Sequence, residues 1–280
     1  LREVRYDLRD EELRPYFALE QVLDGLFRHV ERLFAVKVES VEEGVSVWHP
    51  DVRYFRVSDV DGTPLASFFL DPYSRPAEKR GGAWMSDLVG RSREMAEVDQ
   101  EVRLPTAFVV CNQSPPVGGK PSLMSFSEVT TLFHEFGHAL QHMLTTVDHG
   151  GAAGINNVEW DAVELASQFM ENWTFHRPTL RGLARHFETG EALPEDVIER
   201  LIEARYFREG TNTARQVQLG MFDMEIHARF IGEGSETPLD IQQRITSKTS
   251  LLEPLPEDRF LCSFSHIFAG GYAAGYYSYK

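Results

Sequence analysis

Cysteine is scarce: Cys111 and Cys262 are the only two among 280 residues, they stand far apart, and neither lies in a metal-ligand pattern. A disulfide framework is therefore not expected, and a reducing compartment fits. No run of about 18 apolar residues occurs, so membrane insertion is not expected. Basic charge is outweighed, with 28 Lys and Arg against 43 Asp and Glu for a net charge of −15, which argues against nucleic-acid binding because phosphate contacts need a basic surface. Internal repeats and low-complexity tracts are missing as well. The chain opens on Leu1 without Met or a targeting segment and closes on Tyr279-Lys280 without a capping glycine or proline, so a fragment of something longer is expected. What is present is ordinary globular composition, 42% hydrophobic and 25% charged, enough for one large domain or two small ones.

The first strong periodicity is Leu19, Val22, Leu23, Leu26, Phe27, Val30, Leu33 and Phe34, the three-and-four spacing of an amphipathic helix. Short β-rich runs follow at 45–48, 53–57 and 65–70, separated by His-Pro-Asp and Asp-Gly turns. Residues 72–82 read as a loop, Ala83-Trp84-Met85 as a short strand or a crossing over the sheet, and 106–112 as a compact strand ending in a turn-rich stretch. Gly118-Gly119-Lys120 fails as a phosphate loop, because Pro121 stands where Ser or Thr is required. Further helices are predicted over 158–175, 194–207 and 212–230. The expected class is α+β, helix-dominated, with a small twisted sheet.

Thr131-Leu132-Phe133-His134-Glu135-Phe136-Gly137-His138-Ala139-Leu140 places a His-Glu-x-x-His signature inside an apolar, helix-period segment that either Ser125 or Ser127 could cap. Helical residues four apart differ by about 40° in direction and about 6 Å in rise, so His134 and His138 project from one face and can share a cation. Glu135 lies about 100° further round, where a carboxylate can take a proton from water rather than bind the metal. The blander alternative is a core helix with two satisfied histidines. His138 and His142 form a weaker pair, because Ala139 supplies no base.

A catalytic zinc usually has three protein ligands and one open position. Glu164 and Glu171 lie seven apart, about 10 Å along a helix axis, so at most one can bind. Glu164 is preferred, standing 26 residues after His138, and Glu171 is read as solvated or as supporting the site from behind. Asp161 could hold the second ring nitrogen of a ligating histidine, or equally could compensate a helix dipole. Near the end, Tyr272, Tyr276 and Tyr279 would form one stripe if helical, usually a core feature; the preceding Gly270-Gly271 suggests a mobile, substrate-contacting loop.

Three stretches, His134-Glu135-Phe136-Gly137-His138-Ala139-Leu140, Glu159-Trp160-Asp161-Ala162-Val163-Glu164-Leu165, and Ser265-His266-Ile267-Phe268-Ala269-Gly270-Gly271-Tyr272, resemble the thimet oligopeptidase and oligopeptidase A family of zinc metallopeptidases. The likeness extends to Trp48-His49-Pro50-Asp51-Val52-Arg53 and Lys79-Arg80-Gly81-Gly82-Ala83-Trp84-Met85, and the wording of Asp71-Pro72-Tyr73-Ser74-Arg75-Pro76 and Pro256-Glu257-Asp258-Arg259-Phe260-Leu261-Cys262-Ser263 looks most like the organellar oligopeptidases of plants and algae. In the family's usual motif a proline stands where this chain has Ala166, which suits a helix.

The resemblance implies one zinc ion per chain held by His134, His138 and Glu164, with Glu135 as general base acting through metal-activated water. It implies Tyr279, Tyr272 and His266 as catalytic contacts and Tyr276, Gly270 and Gly271 as substrate-binding positions. It further implies a zincin-like core, spanning residues 1–280, cut from a larger helical clam-shell whose amino-terminal helical half and carboxy-terminal helices are absent. Short peptides, such as cleaved targeting peptides, are the implied substrates. A monomer is expected, located in a chloroplast or mitochondrion, or in the cytoplasm of a bacterium. By analogy with related zinc peptidases, residues 108–112 are expected to be an edge strand that pairs with the substrate backbone, the alternative being an ordinary sheet strand. The alternatives are a dipeptidyl carboxypeptidase with the same chemistry and a catalytically silent peptide- or zinc-binding fragment; an intact Glu135 speaks against the latter.

Overall fold

The computed structural model describes residues 1–234 and 236–279. By backbone contacts the chain forms two compact units, one of Leu1–Val158 and Leu165–Arg205, the other of Glu159–Glu164 and Tyr206–Lys280. The described residues are helix-rich with one small mixed sheet, in keeping with the α+β expectation.

The larger unit begins with short helices α1 (Arg2–Tyr6) and α2 (Asp10–Leu13) and the 16-residue α3 (Leu19–Phe34). Helix α3 buries Val22, Leu23, Leu26 and Val30 and stops at Ala35, whose φ of 54° cannot continue a right-handed helix. Five strands follow: β1 (Val36–Ser40), β2 (Arg53–Asp59), β3 (Pro64–Tyr73), β4 (Trp84–Val89) and β5 (Thr106–Gln113). Their order across the sheet is β1-β2-β3-β5-β4, with every pair antiparallel except β3 and β5. After the sheet come α4 (Phe126–Met143), α5 (Leu165–Glu171), α6 (Arg177–Leu183) and α7 (Glu195–Ala204).

One face of the sheet and the apolar side of α4 share a core. Ala107, Val109 and Cys111 of β5 are at most 2% exposed and join Leu132, Phe133 and Phe136 of α4 in one cluster. The Phe136 ring meets Phe68 of β3 edge-on at 5.2 Å. Truncating a buried phenylalanine of this kind to alanine typically removes about 3–5 kcal/mol. On the opposite face Trp48 packs on Phe69 and Phe108 at 5.4 and 5.2 Å. Beside them Asp71, 2% exposed, is held by both Arg75 nitrogens at 2.8 and 2.7 Å and by Lys79 at 3.1 Å. Burial alone would push this carboxyl up, but hydrogen bonds from Arg75, Lys79 and Trp48 hold it below the usual carboxylate range.

Several sequence expectations need correction. The run at 45–48 forms no strand, whereas Val36–Ser40 does, its alternation hidden directly behind the end of α3. Strand β3 continues through Pro72 and Tyr73, residues read as loop. Residues 108–112 are not an edge strand, because β5 lies between β3 and β4 and its backbone groups are engaged on both sides; the sheet's edges are β1 and β4. The helix predicted over 158–175 is broken: Glu159–Glu164 belongs to the other unit, α5 covers only Leu165–Glu171, and a 3-10 turn occupies Asn172–Phe175.

The smaller unit contains α8 (Glu209–Ala228) and α9 (Pro238–Thr249), the latter started by a reciprocal capping box between Thr237 and Asp240. Its own core is Leu219, Phe222, Ile241, Ile245, Phe264, Ile267 and Tyr276. The tyrosine segment is not helical: Ala274 at φ 57° leads into a 3-10 turn over Tyr276–Tyr279.

Candidate active site

Helix α4 begins where Ser125 caps it. The Glu128 amide donates to Ser125 Oγ at 3.2 Å, the Ser125 amide donates to the Glu128 carboxylate at 2.6 Å, and Arg14 donates to the same carboxylate at 3.2 Å. Two turns in, His134 and His138 face the same way. Their rings are 5.0 Å apart at 83°, and one ligand atom of each lies within 4.8 Å of the other. His138 and Glu135 are 8% and 7% exposed, so their surroundings are largely cleared of water. The Cys111 thiol on β5 is pushed up to about 12, first by burial and then by the Glu135 carboxylate, so it is an inert core group.

Glu171, at the end of α5, accepts a hydrogen bond from His134 Nδ1 at 2.6 Å. This is one of the two roles the sequence reading gave it, solvated or supporting, and the contact sets the orientation of the ring. The close approach of α5 depends on Gly137. A Cβ there would stand 2.6 Å from the Ala166 carbonyl oxygen and 2.6 Å from Ser167 Cα, nearer than any side chain could stand. The glycine inside the motif is thus the seat on which α5 rests. His142, in the last turn of α4, is fully buried and hydrogen-bonds the Val89 carbonyl at 2.9 Å, which gives it a structural role.

The smaller unit carries the remaining predicted residues. Glu164 is 2% exposed and accepts a hydrogen bond from the Tyr272 hydroxyl. Tyr279 stacks obliquely on Tyr272 at 5.1 Å and on Tyr276 at 4.9 Å, and His266 lies 6.0–6.4 Å from all three rings. The Tyr279 hydroxyl is raised well above the usual phenol range, chiefly by burial and then by Tyr272 and the Glu164 charge, so it stays protonated as a donor. Trp160, in the turn that precedes α5, meets Tyr272 at 4.7 Å. Asp161, in that turn, is exposed. The glycine pair serves close packing: a Cβ on Gly270 would stand 2.8 Å from the His266 backbone, and Gly271 has φ 85°.

The sequence reading passed over two residues with clear structural work. Gly137 was visible as a glycine inside a helix, a position that costs about 1 kcal/mol relative to alanine and so calls for a packing reason. Asp223 is fully buried on α8; its signal was an acidic residue flanked by Leu219, Phe222 and Ile226, one turn before His227.

Two histidines four apart on a buried helix, a glutamate beside them and a carboxylate behind one ring define the motif helix of a metal-dependent hydrolase. Comparison with known proteins places it further: the chain belongs to peptidase family M3, whose model matches residues 1–280. It is 60% identical over its whole length to organellar oligopeptidase A, chloroplastic/mitochondrial, of Arabidopsis thaliana, covering 35% of that protein. It is 58% identical over its whole length to a probable cytosolic oligopeptidase A of the same plant, covering 40% of it. Oligopeptidase A of Haemophilus influenzae is 46% identical over 98% of the chain, which again covers 40% of the relative. The chain thus spans 35–40% of the length of these curated relatives.

Proposed function

We propose that this chain is the zincin-like catalytic core of an oligopeptidase that hydrolyses short peptides, including cleaved targeting peptides and other proteolysis products, inside a larger helical clam-shell. His134, His138 and Glu164 are the residues that would hold one zinc ion, two imidazoles and a carboxylate being a donor set of the catalytic kind. Membership in a family of zinc metallopeptidases supports this assignment. So does covalent continuity, since Glu164 is joined directly to Leu165, the first residue of the helix seated on Gly137. The observation that carries the reading is the His134–Glu171 hydrogen bond at 2.6 Å on a buried helix, which pre-sets one imidazole as a ligand.

When bound, zinc supplies a Lewis acid that polarises a carbonyl and lowers the pKa of water. The chain's own residues do the rest. Glu135 takes a proton from the attacking water and delivers it to the departing amine. Tyr272 and Tyr279 offer hydroxyl donors for the carbonyl oxygen as it gathers charge, with His266 beside them. Tyr276, Gly270 and Gly271 shape the surface along which the peptide lies. The proposal includes an organelle as setting, on the likeness to the chloroplastic/mitochondrial relative, and imaging a tagged full-length parent tests that part.

The decisive experiment measures turnover of a quenched fluorescent peptide by the full-length parent, with and without chelator, beside Glu135→Gln. The variant is expected to keep its zinc and lose about 10²–10⁴ in kcat. Full activity in Glu135→Gln, or in the chelated enzyme, would sink the mechanism.

A further inference from the structure

The tyrosine turn of the smaller unit is tied down at one point. Asp223, on α8, is 0% exposed, and its two oxygens receive the backbone amides of Ala274 and Tyr276, each at 2.9 Å. His227, one helical turn on, hydrogen-bonds the Asp223 backbone carbonyl through Nδ1 at 3.0 Å, which also brings Nδ1 to 2.8 Å from Asp223 Oδ1. A carboxylate is acceptor-only, so it can satisfy both converging amides where an amide side chain would present its own N–H to one of them. Ala274 sits at φ 57°, a left-handed conformation that an alanine adopts only when something holds it.

The turn passes its position to both ends of the tyrosine arc. The Gly275 amide donates to the Tyr272 carbonyl at 2.9 Å, and the Ser278 amide donates to the Gly275 carbonyl at 3.1 Å, inside the 3-10 turn that carries Tyr279. Tyr276 is held a second way, its hydroxyl reaching Gln216 on α8 at 3.0 Å. We propose that Asp223 is a positioning residue for the hydrolysis, one whose carboxylate clamps the Ala274 and Tyr276 amides and so sets where the Tyr272 and Tyr279 hydroxyls stand. The inference rests on the proposed role of those tyrosines as donors.

The test is a double-variant cycle in the full-length parent with the quenched fluorescent peptide. Asp223→Asn is expected to lower kcat by about ten- to a hundredfold, because small misplacements of reacting groups carry penalties of that size, while KM moves less. In a Tyr272→Phe/Tyr279→Phe background the same substitution is expected to lower kcat less than about twofold, since the groups it positions are gone. His227→Gln, a milder change that removes the imidazole packed 2.8 Å from Asp223 Oδ1, is expected to show the same dependence on background at a smaller scale, and it decides the matter if Asp223→Asn does not fold. An equal loss in both backgrounds, or no loss of kcat, overturns the positioning role alone. An undiminished kcat in Tyr272→Phe/Tyr279→Phe overturns the tyrosine role and this inference with it.

Discussion

The motif helix and the tyrosine turn reach order by opposite routes. Helix α4 is specified locally: a capping box starts it, a 3.6-residue apolar period orients it, and its two histidines follow from spacing alone. The tyrosine turn has no such period. It is a chain of 3-10 segments and left-handed residues whose shape depends on one buried carboxylate from another helix. The first kind of order spreads its support over a cap and a long apolar face; the second concentrates it in a few polar contacts.

That contrast can be broken at either end. The largest effect is expected at the turn: Tyr272→Phe should lower kcat by about 10²–10³ with little change in thermal stability, as the loss of one donor to a developing charge does. Steady-state kinetics paired with a melting curve would expose a purely structural tyrosine, which would lower stability and leave kcat nearly intact. Next comes Glu171→Gln, for which zinc affinity in a competition titration should fall about 10–100-fold. Unchanged affinity would show that the carboxylate behind His134 does not orient it.

Two smaller changes probe the helix itself. Gly137→Ala forces a methyl group against the α5 backbone and should destabilise by about 1–3 kcal/mol in denaturant melts, although alanine is the better helix former. A stabilised variant would mean that the helices separate freely there. Ser125→Ala removes the cap and should lower stability by about 1 kcal/mol while the metal affinity of the folded protein stays the same. A large shift in zinc affinity in that variant would show that the motif is less self-contained than its periodicity implies.

The same division explains what could be read without coordinates. His134, Glu135 and His138 were legible because helical geometry converts spacing into direction. Strand β5 was legible as a strand but misplaced as an edge, because pairing order is a tertiary property that its own residues do not encode. The helix predicted over 158–175 begins only at Leu165, after the turn in which Trp160 packs on Tyr272, a long-range contact that local periodicity does not announce. Asp223 and Gly137 were overlooked for a related reason: an acid in an apolar face and a glycine in a helix announce that something packs there, not what it is.

The sheet order also bears on how the chain folds. Strands β1, β2 and β3 are neighbours in sequence and can pair through short connections, whereas β5 must enter between β3 and β4 across the residues that separate Tyr73 from Thr106. Closing that loop delays the parallel pairing relative to the meander. Until β5 arrives, β3 presents an open, apolar flank of unpaired amides and carbonyls, the kind of edge on which other chains assemble. The strand packed against the motif helix is therefore also the one that pairs the open flank of β3.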